Sequence, residues 1–193
     1  MLLVIFIDPV FDFVDERGIF FQKFKEDSQP LIDVLPVLDD VLQCCKDLPH
    51  VKTVLCTSIY KVKQFKTDGL ENLCTEERGQ QSLLDPSKFN LHAIKKTNNM
   101  YDLFDANKTT ELDDLVDMCD KVLVTGVTST SCVRATIQEL LKQKKSVIVA
   151  LDAIAHRKSS NNTASSLVNQ WNNQGVIIKD AWKSVLHEFG YEG

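Results

Sequence analysis

Short, continuous apolar runs alternate with longer amphipathic stretches along this chain. The runs are rich in valine, leucine and isoleucine, and each stops near a polar residue, a glycine or a proline. Runs of this length and composition are typical of strands that are buried on both faces of a sheet. The predicted strands are Leu2–Ile7, 51–57, 91–94, 122–125, 147–151 and 176–178.

The stretches between these strands carry the periodicity of helices. Pro36 suits the first turn of a helix, and the apolar residues that follow it fall on one face. Further helices are predicted around 112–119, over 130–143, over 159–171 and over 180–189. Residues 19–30 are predicted to form a loop, and residues 58–88 a long irregular passage, which in a compact domain is usually functional.

Strands that alternate with helices predict an α/β fold. Parallel strands need right-handed crossovers, so we expect three αβα layers around a doubly wound, six-stranded, Rossmann-like parallel sheet of order 3-2-1-4-5-6. No repeat or linker interrupts the alternation, and residues 1–193 are predicted to form a single domain. Ligands of such sheets bind beyond the carboxyl ends of the strands where the winding reverses, here beside strands 1 and 4.

Composition narrows the range of functions. The chain has 193 residues, of which 44% are hydrophobic and 25% charged, with a formal net charge of −5. This balance gives no electrostatic footprint for nucleic acid. The apolar opening run ends at Asp8, which is too early for a signal peptide or a membrane span. The six cysteines lack C-x-x-C spacing, and several lie in apolar runs, so a reducing, cytoplasmic location is predicted.

The segment V-L-V-T-G-V-T-S-T-S-C-V-R-A-T, residues 122–136, holds the most specific chemistry. It reads as a buried strand, a turn at Gly126 and a helix with Cys132 in its first turn. The helix dipole favours a thiolate there, and free amides can hold an oxyanion. A buried cysteine that only fills the core is the alternative, since free cysteine is among the most buried residue types.

Two further charges are predicted near the same edge of the sheet. Asp8 follows strand 1 among phenylalanines, where desolvation would make its carboxylate a proton acceptor, although it could simply cap the turn with Pro9. Lys95 and Lys96 follow strand 3. Period-two alternation sends these two ammonium groups in opposite directions, so only one can face the site, and an exposed lysine pair is more often solvated surface.

Taken together, these segments resemble the isochorismatase-like cysteine hydrolase superfamily. The resemblance lies in I-D-P-V-F-D-F at residues 7–13, the lysine before a loop that ends in Y-D-L-F, the turn V-T-G-V-T-S-T-S-C-V and the segment L-D-A-I-A at 151–155. It covers the whole chain in order. The turn is its most specific part, and the lysine segment is its loosest.

The resemblance implies a triad of Asp8 as base, Lys96 as cation and Cys132 as nucleophile. Lys96 is taken rather than Lys95 because it precedes Thr97, as in similar K-T segments. The family pattern also implies a cis peptide between Val127 and Thr128, with the amides of Thr128 and Cys132 as an oxyanion hole.

The implied reaction cleaves a C–N bond of a small amide-type substrate through a thioester. Phe13, close to Asp8, has the best claim among the aromatic residues to contact this substrate. Isochorismate-cleaving members do not depend on a cysteine nucleophile, so Cys132 argues against that reaction. Members of the superfamily are commonly dimers or tetramers, which implies a homo-oligomer.

A metal site and a cofactor are not expected. Nicotinamidases of the superfamily add a metal held by an aspartate and closely spaced histidines after strand 2, but this chain has C-T-S-I-Y-K-V-K-Q-F-K-T-D-G there. Its four histidines are scattered. A dinucleotide-binding oxidoreductase is disfavoured because strand 1 runs into D-P-V-F-D rather than G-x-G-x-x-G. A binding or scaffold protein that keeps the fold without turnover stays open as the alternative.

Overall fold

Six parallel strands form one sheet in the computed structural model, which describes residues 1–192. Their order is β3-β2-β1-β4-β5-β6, so the predicted order 3-2-1-4-5-6 is confirmed. All six residues of the first strand are buried, as expected for a strand covered on both faces. The strands are β1 (Leu2–Ile7), β2 (Val51–Ser58), β3 (Leu91–Lys95), β4 (Lys121–Val127), β5 (Ser146–Ala155) and β6 (Ile177–Lys179).

Several strands extend beyond their predicted carboxyl ends. Strand β3 includes Lys95, which pairs in register with Ser58 at the end of β2. Strand β1 lies between β2 and β4, and its last residue, Ile7, pairs with both Cys56 and Gly126. Neighbouring parallel strands end at the same edge of the sheet. The residues that follow β1 and β4 therefore meet the last residues of β2 and β3.

Helices cover both faces of the sheet, and none of them within residues 1–192 is long and apolar enough to cross a membrane. Helices α1, α3 and α8 contribute to one hydrophobic core, and α5, α6 and α7 contribute to the other. This arrangement gives the expected three αβα layers. The helices are α1 (Phe11–Val14), α2 (Ile19–Phe24), α3 (Gln29–Cys45), α4 (Glu77–Gln80), α5 (Ala106–Met118), α6 (Cys132–Lys142), α7 (Asn161–Asn173) and α8 (Trp182–His187).

The predicted loop at residues 19–30 is wrong, and so is the helix start near Pro36. Residues 19–24 form α2, and α3 begins at Gln29 with Pro30 in its first turn and Pro36 in its interior. One face of α3 is buried along its whole length, and this packing offsets the hydrogen bond that an interior proline removes. The buried residues of α3 are Leu31, Val34, Leu38, Val41, Leu42 and Cys45.

Strand β4 approaches β1 too closely for a side chain at one position. Gly126 has a φ of +105°, and a Cβ built on it would lie 2.1 Å from the carbonyl oxygen of Ile7. Only glycine fits a close backbone approach at this φ value. The turn into α6 therefore begins with its backbone against the end of β1.

Candidate active site

Asp8 is the first residue after β1, and its side chain is fully buried. Its backbone has a φ of 52°, a left-handed conformation that aspartate tolerates better than most residues. Its N–H donates a hydrogen bond to the carbonyl oxygen of Cys56, 2.8 Å away, and continues the pairing between β1 and β2. The strand pairing thus directs the carboxylate inward at the carboxyl edge of the sheet.

The lysine that faces Asp8 is Lys95, so the expectation for Lys96 is wrong. Alternate residues of β3 are buried, and Lys95, its last residue, lies on the buried side with 0% exposure. The Lys96 side chain is 41% exposed, and its Nζ lies 3.7 Å from a carboxylate oxygen of Asp102 at the surface. Because β3 is one residue longer than predicted, period-two alternation selects the first lysine of the pair.

Lys95 and Asp8 form a buried ion pair. The Lys95 Nζ donates to Asp8 Oδ2 at 2.8 Å and to the carbonyl oxygen of Thr97 at 3.2 Å, and it also donates to Ser58 Oγ. Ser58 Oγ in turn donates to Asp8 Oδ1 at 2.7 Å. Burial lowers the pKa of Lys95, but Asp8, Cys132 and Tyr60 together outweigh burial and hold that pKa well above the usual range. The cluster around Asp8 therefore contains a buried positive charge.

Cys132 is the first residue of α6 and is 1% exposed. Its Sγ lies 3.6 Å from Lys95 Nζ, 3.5 Å from the Tyr60 hydroxyl and 3.3 Å from Asn98 Oδ1. Burial raises the pKa of the Cys132 thiol to about 11, and Lys95 opposes that shift. Desolvation thus opposes the thiolate that the helix N-terminus favours. The sulfur needs a base when it reacts.

Backbone amides surround the same sulfur. The Val127–Thr128 peptide bond is cis. Across residues 1–192, neither the Thr128 N–H nor the Cys132 N–H donates a hydrogen bond to another protein group, whereas the neighbouring Ser129 N–H bonds to Ala155. Both Thr128 and Cys132 line the cavity that opens beside the sulfur. Two unpaired N–H donors at a helix start are suited to hold a negatively charged oxygen.

A cavity of about 340 Å³ opens beside the sulfur of Cys132. This volume fits a small organic molecule. Five aromatic side chains line it, and Phe13 is among them, 3% exposed and packed on Phe20 with ring centroids 5.2 Å apart. Asn98 and Arg157 supply polar groups to the same wall. The lining of the cavity is thus divided about evenly between apolar and polar groups.

Asp12 holds the loops around this cavity together. Its buried carboxylate accepts hydrogen bonds from the Cys74 N–H at 2.7 Å and from the Ile19 N–H at 3.3 Å. Burial raises the pKa of Asp12, while these two hydrogen bonds lower it. Asp12 does not touch either Lys95 or Lys96 within the described chain. It joins the long passage after β2 to the start of α2.

We expect the Asp12→Asn substitution to lower the free energy of unfolding by about 1–3 kcal/mol. The amide nitrogen of asparagine cannot accept a hydrogen bond, so one of the two buried N–H groups would lose its acceptor. Urea unfolding at unchanged m-value measures this loss. Asp15→Asn is the matched control in the same segment, where the carboxylate bonds only the partly exposed Arg17, and we expect a cost below about 1 kcal/mol. Equal stabilities for the two variants would contradict the assigned role of Asp12.

The side chains after β2 do not fit a zinc ion. Among residues 1–192, no group of three histidine, cysteine, aspartate or glutamate side chains is placed to hold a metal. Ser58 and Tyr60 follow at the end of β2 and contact Asp8, Lys95 and Cys132 directly. Protein ligands for zinc are thiolates, imidazoles and carboxylates, and hydroxyls of this kind do not replace them.

Sequence reasoning missed three polar side chains that touch the cluster, namely Ser58, Tyr60 and Asn98. Ser58 and Tyr60 lie in the passage that was predicted to be irregular. Their one available signal was their position directly after a strand whose end reaches the binding edge. The ring nitrogens of His156, which follows β5, pair with Ser129 and Asn161 and not with Cys132.

Fold and cavity together indicate the class of protein. A doubly wound α/β sheet carries an enclosed acid, a cation and a thiol beside a cavity at its carboxyl edge, where sheets of this kind bind their ligands. The family comparison gives the particular assignment: a model described as the isochorismatase domain matches residues 2–180. The chain belongs to the isochorismatase family and is a hydrolase by that membership.

Solved structures share the fold at low sequence identity. An isochorismatase-like hydrolase from Alkaliphilus metalliredigens is 16% identical with a TM-score of 0.73, covering 92% of this chain and 94% of its own. The pyrazinamidase of Pyrococcus horikoshii, in complex with zinc, is 17% identical with a TM-score of 0.73, covering 92% and 97%. An N-carbamoylsarcosine amidase from Thermoplasma acidophilum is 15% identical with a TM-score of 0.64, covering 92% and 95%.

A search of curated protein sequences gave no match. The solved structures therefore establish the fold alone, and the chemistry of this chain depends on its own side chains.

Proposed function

We propose that the protein is a cysteine-dependent hydrolase that cleaves a C–N bond in a small amide-type substrate. One observation carries the proposal: a fully buried Lys95 ammonium lies 2.8 Å from the Asp8 carboxylate and 3.6 Å from the Cys132 sulfur. A buried ion pair is costly to maintain and is weak evidence for stability alone. Placed beside a buried thiol and a cavity large enough for a small molecule, it supports a catalytic role.

The first half of the reaction forms a thioester. Cys132 Sγ attacks the amide carbon while Asp8 accepts the thiol proton, and the Lys95 ammonium stabilises the anionic sulfur. The carbonyl oxygen becomes an oxyanion that accepts hydrogen bonds from the amides of Thr128 and Cys132. When the oxyanion collapses, the C–N bond breaks, and the leaving nitrogen takes the proton from Asp8. Ammonia or an amine departs.

The second half hydrolyses the thioester. Asp8 takes a proton from water as the water oxygen attacks the thioester carbon, and the same two amides hold the second oxyanion. The C–S bond then breaks, the carboxylic acid leaves, and Cys132 recovers a proton from Asp8. The cycle consumes one amide and one water and returns every side chain to its starting form.

The cavity sets limits on the substrate. Five aromatic rings and a volume of about 340 Å³ suit a compact, partly apolar amide, and the position of Phe13 in the lining supports a contact with it. Two structural neighbours are described as a pyrazinamidase and an N-carbamoylsarcosine amidase. Pyrazinamide and N-carbamoylsarcosine are therefore the first compounds to test, followed by other small amides and ureides.

An ammonia-release screen over this panel tests the proposal. We expect at least one compound to release ammonia, and intact-protein mass spectrometry to detect the acyl adduct on Cys132 when the reaction is quenched early. Cys132→Ala is the control in every assay. Failure of the whole panel to release ammonia or to acylate Cys132 would leave a binding or scaffold role as the better account.

The homo-oligomer and the cytoplasmic location stay part of the proposal. Sedimentation of the purified protein would measure the first, and microscopy of a tagged chain would measure the second. The single-domain organisation is tested by limited proteolysis, which we expect to leave residues 1–193 in one protected fragment.

A further inference from the structure

Tyr60 brings a second hydroxyl into the cluster, and the reaction described above does not use it. The residue lies just after β2 and is 4% exposed. Its hydroxyl oxygen is 3.5 Å from Cys132 Sγ, 3.3 Å from Lys95 Nζ, 2.8 Å from Ser58 Oγ and 3.4 Å from Asn98 Oδ1. Packing of its ring on Phe65, with centroids 4.7 Å apart, fixes the hydroxyl in this position.

Counting protons shows what the Tyr60 hydroxyl can do. The single Ser58 proton goes to Asp8, since a carboxylate is the stronger acceptor. The Lys95 protons go to Asp8, Ser58 and the carbonyl oxygen of Thr97. With the Ser58 proton on Asp8, the Tyr60 proton faces Ser58 Oγ, 2.8 Å away, in the resting site. The Cys132 sulfur lies 3.5 Å from the same hydroxyl, and a thiolate is a stronger acceptor than a serine hydroxyl, so the hydroxyl can turn to the sulfur when the thiol is deprotonated.

We propose that the Tyr60 hydroxyl donates a hydrogen bond to the Cys132 sulfur as it becomes negatively charged, and that Tyr60 is a further catalytic residue. The inference rests on the proposed nucleophilic role of Cys132. In the resting state Asn98 Oδ1 lies 3.3 Å from the Cys132 sulfur and can accept the thiol proton. Once Asp8 has taken that proton, the thiolate accepts a hydrogen bond from Tyr60 and faces the positive charge of Lys95, whose Nζ is 3.6 Å from the sulfur.

The surroundings of Tyr60 keep it in the donor form. Burial raises the pKa of its phenol well above the usual value, and the nearby Cys132 and Asp8 raise it further, whereas Lys95 lowers it. Tyr60 therefore retains its own proton while the thiol proton travels to Asp8. The hydrogen bond from Tyr60 also lowers the pKa of Cys132, against the effects of burial and of Asp8.

The test is the rate at which iodoacetamide alkylates Cys132 in the full-length protein, measured from pH 8 to 10 by mass spectrometry of the Cys132 peptide. We expect Tyr60→Phe to slow alkylation about tenfold across this range, since losing a hydrogen bond to a charged sulfur raises the thiol pKa by about one unit. Replacing Tyr60 with 3-fluorotyrosine, a more acidic phenol of nearly the same shape, should speed the reaction. Altered access to the sulfur would not reverse the sign in this way.

Tyr101→Phe is the matched control, because its hydroxyl bonds Gln143 and does not reach the cluster. We expect its alkylation rate to equal that of the unmodified protein. If Tyr60→Phe loses its folded circular dichroism spectrum, the alkylation rate of the 3-fluorotyrosine protein alone tests the role of Tyr60. Rates unchanged by fluorination, or unchanged in a folded Tyr60→Phe, would overturn the role of Tyr60. Alkylation needs no substrate, so a failed amide screen is a separate result.

Discussion

Replacing Cys132 with alanine should reduce ammonia release from any substrate by about 10⁴-fold or more, because the route through the thioester is lost. No other thiol lines the cavity, so within residues 1–192 no group can form the thioester in its place. The measurement is steady-state ammonia release on the best compound from the screen. The acyl adduct should disappear in the same samples.

Cys119→Ala is the matched control for this variant. Cys119 lies between α5 and β4, is 4% exposed and packs in the hydrophobic core rather than in the cavity lining. Its loss should leave ammonia release close to that of the unmodified protein. Full activity in Cys132→Ala would contradict covalent catalysis and would redirect attention to a water activated by Asp8.

The second large effect distinguishes the two neighbouring lysines. Lys95→Met should lower ammonia release by at least about 10²-fold, since the anionic sulfur and oxyanion lose their positive charge. It should also lower the free energy of unfolding by about 3–5 kcal/mol, because the buried Asp8 carboxylate is left without its cation. Ammonia release and urea unfolding measure the two consequences separately.

Lys96→Met is the control, one residue along the chain. Its side chain is exposed and makes a long ion pair with Asp102, so we expect a stability change within about 0.5 kcal/mol and unaltered hydrolysis. Lys95→Arg keeps the charge and should fold better than Lys95→Met. If Lys96→Met strongly reduced ammonia release while Lys95→Met kept full activity, the assignment of Lys95 as the site lysine would be wrong.

For the lysine pair, the sequence showed that one of the two side chains faces the site but did not show which one. Alternation already required that only one of the two ammonium groups face the site, but the choice depended on where β3 ended. Its end is set by pairing with Ser58 at the tip of β2, a contact between residues 37 positions apart. The buried positions Leu91 and Ala93 would have pointed to Lys95, had the strand been extended by one residue.

The start of the helix before β2 was predicted wrongly for a different reason. Pro36 looked like a helix start, and the sequence offers a second proline, Pro30, which is the one that lies in the first turn. Local rules treat an interior proline as a break. The packing of the whole buried face of α3 on the sheet outweighs that local cost. A short stretch of sequence around Pro36 does not reveal this tertiary packing.

The sequence by itself determined the α/β class, the strand order and the positions of Asp8 and Cys132 at one edge of the sheet. The α/β class follows from local apolar runs, and the strand order was taken from the arrangement common among doubly wound sheets; neither needs knowledge of individual contacts. Only the tertiary structure identified Lys95, Ser58 and Tyr60 as neighbours of the sulfur, and only the folded chain buries that sulfur and raises the pKa of its thiol. Such properties depend on desolvation and on distances between remote segments, and these exist only once the chain is folded.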